Sequence, residues 1–389
     1  MRIASAISIA DKPAILAAEL TQQLQSQLQG APVDVVVAFV TSRLVQEFSE
    51  VISTLQHQLF ARTLLACTAE SVLGVDREIE QAAAVSALAM SLPGITVKSF
   101  HLAEDEWADI LRDNKALRTR LAPPTDLRLL AVLGDPFTTP VVQLLDACSE
   151  EFPAAPVVGG MASGITRPGQ ARLAINGNIY SSGLVGVGMA GPLQVDCVVS
   201  QGCRPVGHTM VITRAQQNVI EQLDGIPAIA AIGRMLEHLP RTDREMIEKV
   251  GLQIGRVIDE RKGNFGRGDF LIRNILSLDR HQGHLTIGDM IHENQTVQFQ
   301  VQDSHSADED LRLLLQGELL LANAPTGVLM FTCNGRGTHL FGTPDHDIST
   351  VRSVLGSVPV AGFFCAGELG PVGGRNFIHG QTVSLALFR

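Results

Sequence analysis

The sequence predicts a mixed α/β fold of two related halves, each with mixed β-sheets covered by helices, as in a layered sandwich. Three observations support this fold class. Short apolar runs alternate with amphipathic segments through the first half of the chain, which is the rhythm of β-α-β units. Several apolar runs end in glycine, as buried strands do where a loop begins. A motif of proline, valine and glycine occurs twice at the same spacing.

In the first half, strands and helices follow one another along the chain. Asp11 is expected to cap the first helix and Gly30 to end it. The expected helices span 12–29, 44–59, 76–90, 103–114 and 140–150; the expected strands span 33–41, 62–70, 95–100, 127–137 and 155–164, and a hairpin covers 175–189.

An internal repeat relates the two halves. In both places an apolar strand and a helix precede the motif, so duplication explains the pattern better than chance. A weaker third copy, CTAE at 67–70, resembles CAGE at 365–368. Repeated α/β units that face each other commonly enclose a ligand cleft. The matching positions are Pro156, Val157, Gly159 and Gly164 with Pro359, Val360, Gly362 and Gly367.

The pattern of apolar and polar residues changes near residue 200. Pro227 is expected to open a helix, and 270–303 alternates apolar and polar residues as a three-strand meander does. Arg273 lies inside an apolar strand, where a buried ion pair or a carboxylate-binding role would explain it; the ion pair is favoured. A helix is predicted over residues 306–322. We therefore expect two domains, residues 1–200 and 201–389.

Composition and charge narrow the function classes. Of the 389 residues 45% are hydrophobic, so sizeable cores are expected, and the net charge of −10 argues against nucleic-acid or anionic-lipid partners. Six cysteines show no paired spacing, and Pro, Gly or a charge interrupts every long apolar stretch. The start shows no secretory leader. These observations predict a soluble, cytoplasmic protein.

The richest segment is Val328–Arg389, where glycine-rich corners follow apolar runs. NGRG at 334–337 brings Asn334, Gly335 and Arg336 to the end of a buried strand, and GGRN at 373–376 carries Arg375 and Asn376. Backbone N–H groups in such turns, with an arginine beside them, can hold a carboxylate or phosphate. The alternative is a tight turn whose arginine is solvated. Neither turn has the spacing of a nucleotide-binding loop.

The segment TPDHD at 343–347 predicts the start of a helix. Thr343 or Asp345 is expected to cap it, and His346 can still face a site because helix N-termini favour anions. Capping and pocket lining are compatible roles.

The segment FFCAGELG follows the most apolar strand of this half. It places Phe364, Cys365 and Glu368 close together. Cys365 has three open interpretations: a core residue, a pocket lining, or a nucleophile with His379 or His346 as its base.

These blocks resemble a known family. GCRPVGHTMVITRAQQNVIEQLDGIPA, FLIRNI, TCNGRGTHLFGTPDHD and VPVAGFFCAGELGPVGGRNFIHG are similar to the signature blocks of FIST proteins, over about residues 30–388. The resemblance implies paired N- and C-terminal modules that sense small ligands, with amino acids among the candidates, and that signal to a partner such as a sensor kinase. Some members are considered haem-binding nitric-oxide sensors; Cys203 and His208 here do not form a specific haem motif.

We therefore predict a cytoplasmic sensory protein of signal transduction that binds a small polar or anionic metabolite and needs no metal or other cofactor. The arginines would pair with a carboxylate and Glu368 with an amine. The alternatives are a haem-binding nitric-oxide sensor and a cysteine-dependent enzyme using Cys365; binding is favoured over catalysis. The predicted ligand-binding residues are Asn334, Gly335, Arg336, His346, Phe364, Cys365, Glu368, Arg375 and Asn376.

Overall fold

The computed structural model describes residues 1–10, 12–123 and 125–389. The predicted helix cap at Asp11 lies outside the described residues. The chain forms two compact units: the sheet unit, 1–199 with 311–378 and 382–389, and the barrel unit, 200–310 with 379–381. The division into two domains at 1–200 and 201–389 stays a prediction. Residues 311–378 and 382–389, near the end of the chain, pack in the sheet unit.

The strands are β1 (Arg2–Ser8), β2 (Val35–Thr41), β3 (Thr63–Ala69), β4 (Val72–Gly74), β5 (Arg77–Ile79), β6 (Val85–Ser91), β7 (Thr96–Leu102), β8 (Leu127–Gly134), β9 (Val157–Met161), β10 (Leu173–Ile175), β11 (Asn178–Tyr180), β12 (Leu184–Ala190), β13 (Val195–Gln201), β14 (Cys203–Pro205), β15 (Met210–Gln216), β16 (Val219–Leu223), β17 (Ile226–Pro227), β18 (Gln253–Val257), β19 (Phe270–Asp279), β20 (His284–Ile287), β21 (Thr296–Gln302), β22 (Gly327–Cys333), β23 (Val360–Cys365), β24 (Glu368–Val372), β25 (Arg375–His379) and β26 (Thr382–Phe388). The helices are α1 (Pro13–Leu28), α2 (Phe48–Leu59), α3 (Trp107–Arg112), α4 (Asn114–Leu121), α5 (Val141–Glu151), α6 (Ala228–His238), α7 (Arg241–Val250), α8 (Ser304–Leu321), α9 (Thr338–Phe341) and α10 (His346–Leu355).

The described part of the sheet unit contains three six-stranded sheets of the same design. Sheet 1 has the order β1-β6-β2-β3-β10-β11, sheet 2 the order β7-β12-β8-β9-β24-β25, and sheet 3 the order β13-β26-β22-β23-β4-β5. Each is built on a central parallel pair: β2–β3, β8–β9 or β22–β23. The mixed α/β fold is thus confirmed. The same sheet design occurs three times, and the weak third copy of the repeat at 67–70 lies at the end of β3 in sheet 1.

The three sheets exchange their hairpins in a cycle. After β3 the chain leaves sheet 1 and adds the hairpin β4–β5 to sheet 3; after β23 it adds β24–β25 to sheet 2; after β9 it adds β10–β11 to sheet 1. Each sheet is therefore completed by a hairpin from another one. The exchange brings the carboxyl ends of β3, β9 and β23 together.

One shared core lies against the inner faces of all three sheets. Phe39 of β2 stacks on Phe363 of β23 with ring centroids 4.8 Å apart, and Phe331 meets both rings edge-on. The outer faces are covered by helices: α1 and α2 on sheet 1, α3 to α5 on sheet 2, and α8 with α10 on sheet 3. Burial of both faces explains why the central strands read as continuous apolar runs.

The prediction of a helix over 76–90 is wrong. This segment forms the short strand β5 and the central strand β6. Leu88 and Met90 point to the shared core while Ala87 and Ala89 pack beneath the helices of sheet 1, which is the two-residue period of a strand. A short apolar run buried on both faces carries no periodicity that separates a strand from a helix.

The barrel unit is antiparallel throughout its described pairings. Its strands run in the order β21-β15-β16-β20-β19-β18, and β18 closes the ring by pairing with β21. Helix α6 contributes to its core. The buried ion pair predicted for Arg273 is confirmed: its Nε lies 3.0 Å from Asp289 Oδ2.

The sequence repeat corresponds to one repeated backbone contact. Gly159 pairs with Val132 and Gly362 with Met330, each at the middle of a parallel pair. A Cβ on either glycine would overlap the carbonyl oxygen of its partner residue. The repeated glycines are therefore required by the close approach of neighbouring strands.

We expect Gly159→Ala and Gly362→Ala each to lower the free energy of unfolding by at least about 2 kcal/mol, because the strands must separate to admit the methyl group. Gly263→Ala is the control, since Gly263 lies outside the helices and strands and a Cβ there meets nothing within 4 Å. Urea unfolding followed by the fluorescence of Trp107, the only tryptophan, measures the change. Unaltered stability of both strand variants would contradict this account of the repeat.

Candidate functional site

Two neighbouring cavities open where the parallel strands end. They have volumes of about 490 Å³ and about 340 Å³, and both are lined by Glu70, Gln81 and Asn334. We call them the strand-end cavities. The larger is also lined by Ser42, Arg43, Ser163, Gly164, Ile165, Thr166 and Ala366, and the smaller by Ser71, Glu80, Thr338, His339 and Phe364. Loops after the carboxyl ends of parallel strands are a usual place for ligand sites in α/β proteins.

Ser163 ties the three strand ends together beneath these cavities. Its hydroxyl accepts a hydrogen bond from the backbone N–H of Glu70 at 2.8 Å and donates one to the carbonyl oxygen of Phe364. Its own N–H donates to Thr68 at 3.2 Å. Ser163, which follows β9, thus joins the ends of β3 and β23 through its N–H and its hydroxyl.

The cavity walls include a carboxylate, a guanidinium and an amide oxygen that make no hydrogen bond within the described residues. Glu70 and Arg43 are exposed, and no hydrogen bond or ion pair within the described residues involves the carboxylate of Glu70 or the guanidinium of Arg43. The side-chain oxygen of Asn334 is buried and has no hydrogen-bond partner among the described residues. Burying such an acceptor without a partner is costly, so a donor group at this position would be stabilising.

Arg336 lies behind the cavities and not in their walls. Its side chain is 0% exposed, and it holds Asp347 through two hydrogen bonds, Nε to Oδ2 at 2.7 Å and Nη2 to Oδ1 at 2.8 Å. Burial alone would raise the pKa of Asp347, but the attraction of Arg336 outweighs it and lowers that pKa. The guanidinium also lies 5.3 Å from the ring centre of Phe341. This arginine joins the NGRG turn to α10.

The N-terminus of α10 is capped from another element. Asp345 occupies the N-cap position, but its side chain makes no capping bond and instead accepts from the backbone N–H of Glu78 at 2.6 Å. The predicted side-chain cap at Thr343 or Asp345 is therefore corrected. Glu78 accepts from the N–H of Ile348 at 2.9 Å. Burial, with the charge of Asp347 next, raises the pKa of Glu78 to about 8.

His346 opens α10 and lies against the same cluster. Its ring stacks on Phe341 with centroids 3.4 Å apart, and its Nδ1 lies 3.3 Å from Asp347 Oδ1. The side chain is about 20% exposed. It is placed to orient Asp347 but does not line the strand-end cavities.

Cys365 and Glu368 are fully buried. Burial raises the pKa of the Cys365 thiol well above its ordinary value, and its Sγ lies 3.6 Å from the carbonyl oxygen of Phe363. These surroundings oppose the thiolate that a nucleophile needs. Burial likewise raises the pKa of Glu368 to about 8, and its Oε2 accepts from the hydroxyl of Thr382 at 2.8 Å.

The second glycine turn lies elsewhere. Arg375 is exposed and its Nη2 lies 3.2 Å from Asp146 on α5. Asn376 accepts from the N–H of Val157 at 2.8 Å and lines a different cavity of about 380 Å³ beside Pro156. The two arginine-bearing turns are thus not brought to one cavity.

Of the predicted binding residues, Asn334 and Phe364 line the strand-end cavities and Gly335 directly follows Asn334 in the same turn. Arg336, Cys365 and Glu368 are buried in the core, and His346 is partly exposed beside it. Ligand binding by any of them stays a prediction. Glu70, Gln81, Arg43 and Ser163 were missed. Glu70 carried one signal, since it ends the CTAE copy of the repeat.

A wider groove of about 890 Å³ lies along β7, α3 and α4. Its charged groups are mostly engaged: Arg120 pairs with Glu106 at 2.7 Å, and the Lys98 ammonium donates to the Thr119 carbonyl. It is a less suitable ligand site than the strand-end cavities, whose charges are available.

The described residues contain no group of three or more His, Cys, Asp or Glu side chains arranged to hold a metal ion. Cys203 is buried in β14, and His208 is exposed. A haem ligand stays a prediction, and a Soret band after reconstitution would test it. No helix within the described ranges has the length and apolar character needed to cross a membrane.

Comparison with known proteins shows that the chain is similar to domains associated with sensory signalling. The FIST N domain matches residues 34–226 and the FIST C domain matches residues 205–371. The chain therefore belongs to the FIST family, whose domains are associated with sensory roles in signal transduction.

Two mycobacterial proteins are similar over the whole length. An uncharacterized protein of Mycobacterium tuberculosis is 37% identical over 393 residues, covering 100% of both chains. An uncharacterized protein of Mycobacterium bovis is 36% identical over 393 residues, covering 100% of this chain and 99% of its own.

We expect Arg336→Met to lower the free energy of unfolding by about 3–5 kcal/mol, because it leaves the Asp347 carboxylate buried without its partner. Adding Asp347→Leu should restore much of the loss, since the second change removes the stranded charge. Urea unfolding of both single variants and the double variant measures the coupling between the residues. Additive losses would contradict a buried pair that acts as a unit.

Stability should fall as pH rises because of Glu78 and Glu368. Their pKa values are raised from 4.5 to about 8, so the folded protein keeps protons that the unfolded chain releases. Their contribution is fully present below pH 4.5 and is lost as pH rises through about 8. Urea unfolding across this range should show a smaller loss for Glu78→Gln and Glu368→Gln. Glu50→Gln, at an exposed position, is the control and should keep the wild-type slope.

Proposed function

We propose that this chain is a cytoplasmic sensory protein of signal transduction that binds a small polar metabolite in the strand-end cavities. It would signal through a separate protein such as a sensor kinase. Membership in the FIST family supports the sensory role. The chemistry of the ligand is argued from the cavity walls.

The observation that carries the proposal is a pair of available opposite charges beside a buried acceptor. Arg43 offers a cation for a carboxylate, and Glu70 offers an anion for an ammonium group. The buried oxygen of Asn334 would accept a second hydrogen bond from that ammonium. A zwitterion such as an amino acid carries groups complementary to all three, whereas a simple anion would meet Glu70 and Glu80 as like charges.

The walls are connected to elements that could respond to the ligand. Glu80 accepts from the N–H of Thr338 at 2.9 Å and from its hydroxyl at 2.8 Å, which links the cavity to α9. Arg336 then links the same turn to α10. A ligand that favours one arrangement of these groups would shift their population, as a sensor requires.

The test is a thermal-shift screen against amino acids and related zwitterions at millimolar concentration. A bound ligand should raise Tm in a concentration-dependent way by mass action. Glu70→Gln and Arg43→Gln should each weaken the apparent affinity at least about tenfold, since each removes a charge-assisted hydrogen bond.

Arg375→Gln is the matched control, because it removes the arginine of the other glycine turn and should leave the affinity unchanged. The proposal fails if no compound raises Tm. It also fails if the hit binds Glu70→Gln as well as wild type, or loses its effect with Arg375→Gln.

A further inference from the structure

Helix α8 exposes a stripe of leucines to solvent. Leu313 is 58% exposed, Leu314 39%, Leu320 88% and Leu321 84%. On the opposite side of the helix, Leu311 and Leu315 are fully buried in the core beneath sheet 3. An α-helix that is apolar on two faces is expected to be covered on both.

The exposed leucines form one continuous face. At 3.6 residues per turn, positions 313, 317 and 320 lie in line, and 314 and 321 lie beside them. Gly317 is at the centre of this face, and a Cβ there would meet nothing within 4 Å. Small residues at such a centre let two helices approach closely.

We propose that this face binds the same face of a second copy of the chain, so that two α8 helices pack antiparallel about a two-fold axis through Gly317. The stretch 313–321, LLLQGELLL, reads nearly the same in both directions. Antiparallel packing centred on Gly317 therefore places Leu313 opposite Leu321 and Leu314 opposite Leu320. A surface that is complementary to itself is what a two-fold dimer requires.

The charges along the helix agree with this occupant. Glu318 lies to the side of this face, and its Oε2 accepts from Arg389 Nη2 at 3.1 Å within the same chain, so no carboxylate lies at the centre of the face. A lipid surface fits less well: α8 carries Asp308, Glu309, Asp310 and Glu318 against the single cation Arg312. Helices that lie on anionic membranes are rich in Lys and Arg.

The exposed area is sufficient for a specific contact. Burying four leucines and the helix backbone between them on both copies removes on the order of 1,000 Å² of surface, which is the lower bound for a specific interface. The leucine core with a polar rim also has the usual composition of a dimer interface.

The first experiment measures the molecular mass by sedimentation equilibrium from about 1 to 100 µM, the range in which an interface of this size associates. We expect wild type to form dimers and Leu320→Glu with Leu321→Glu to remain monomeric. Phe60→Glu, at a site 88% exposed on the end of α2, is the control and should dimerise like wild type. Matching circular-dichroism spectra would show that the variants are folded.

The second experiment tests the geometry by disulfide formation under mild oxidation, with wild type as the control for the native cysteines. Gly317→Cys should cross-link to its own copy. Leu321→Cys alone should not, because antiparallel packing separates the two positions, but mixing it with Leu313→Cys should give a cross-linked dimer.

Three outcomes overturn the proposal. They are a monomeric wild type at the highest concentration, efficient self-cross-linking of Leu321→Cys, and a dimer that survives both glutamate substitutions. Binding of monomeric wild type to anionic vesicles, lost in the glutamate variant, would assign the face to a lipid surface instead.

Discussion

The structure depends on the meeting of three strand ends. Each of β3, β9 and β23 leaves its own sheet at the point where the others do, and each then supplies the hairpin of another sheet. Reciprocal backbone bonds hold the meeting point: Ala366 donates to Met161 at 3.0 Å, and Phe364 donates to Ser71 at 3.0 Å. The sheets cannot separate without breaking these bonds, so the shared aromatic core and the candidate site depend on the same junction.

A second constraint is the placement of buried charge beside this junction. Arg336, Asp347 and Glu78 lie where the end of β22 meets the start of α10, and their hydrogen bonds are made mostly to one another and to the helix N-terminus. Such a cluster adds specificity only while every partner is present. Arg336 Nη1 and Glu78 Oε2 of this cluster have no hydrogen-bond partner among the described residues, and ligand binding by Arg336 stays a prediction.

The sequence predicted the parts of this structure that leave a local signal. The glycine repeat indicated duplicated units, and the structure shows that Gly159 and Gly362 make the same close backbone contact. Strand β6 was missed because burial of both faces removes periodicity. The pairing of Arg336 with Asp347 was not predictable, since a glycine-rich turn with an arginine reads the same whether the arginine faces a ligand or the core. The sequence signal for Glu70 was its position as the last residue of CTAE, the weakest copy of the repeat.

The exchange of hairpins also explains why the candidate site lies beside one of the three strand-to-hairpin connections. Between β3 and β4 only Glu70 and Ser71 intervene, and between β23 and β24 only Ala366 and Gly367. Between β9 and β10 the chain runs through residues 162–172, and this longer connection supplies part of the wall of the larger cavity. Three units with equally short connections would give three equivalent strand-to-hairpin junctions, each tightly closed. The longer connection leaves room for the larger cavity, which is also lined by Glu70 after β3, Ala366 after β23 and Asn334 after β22.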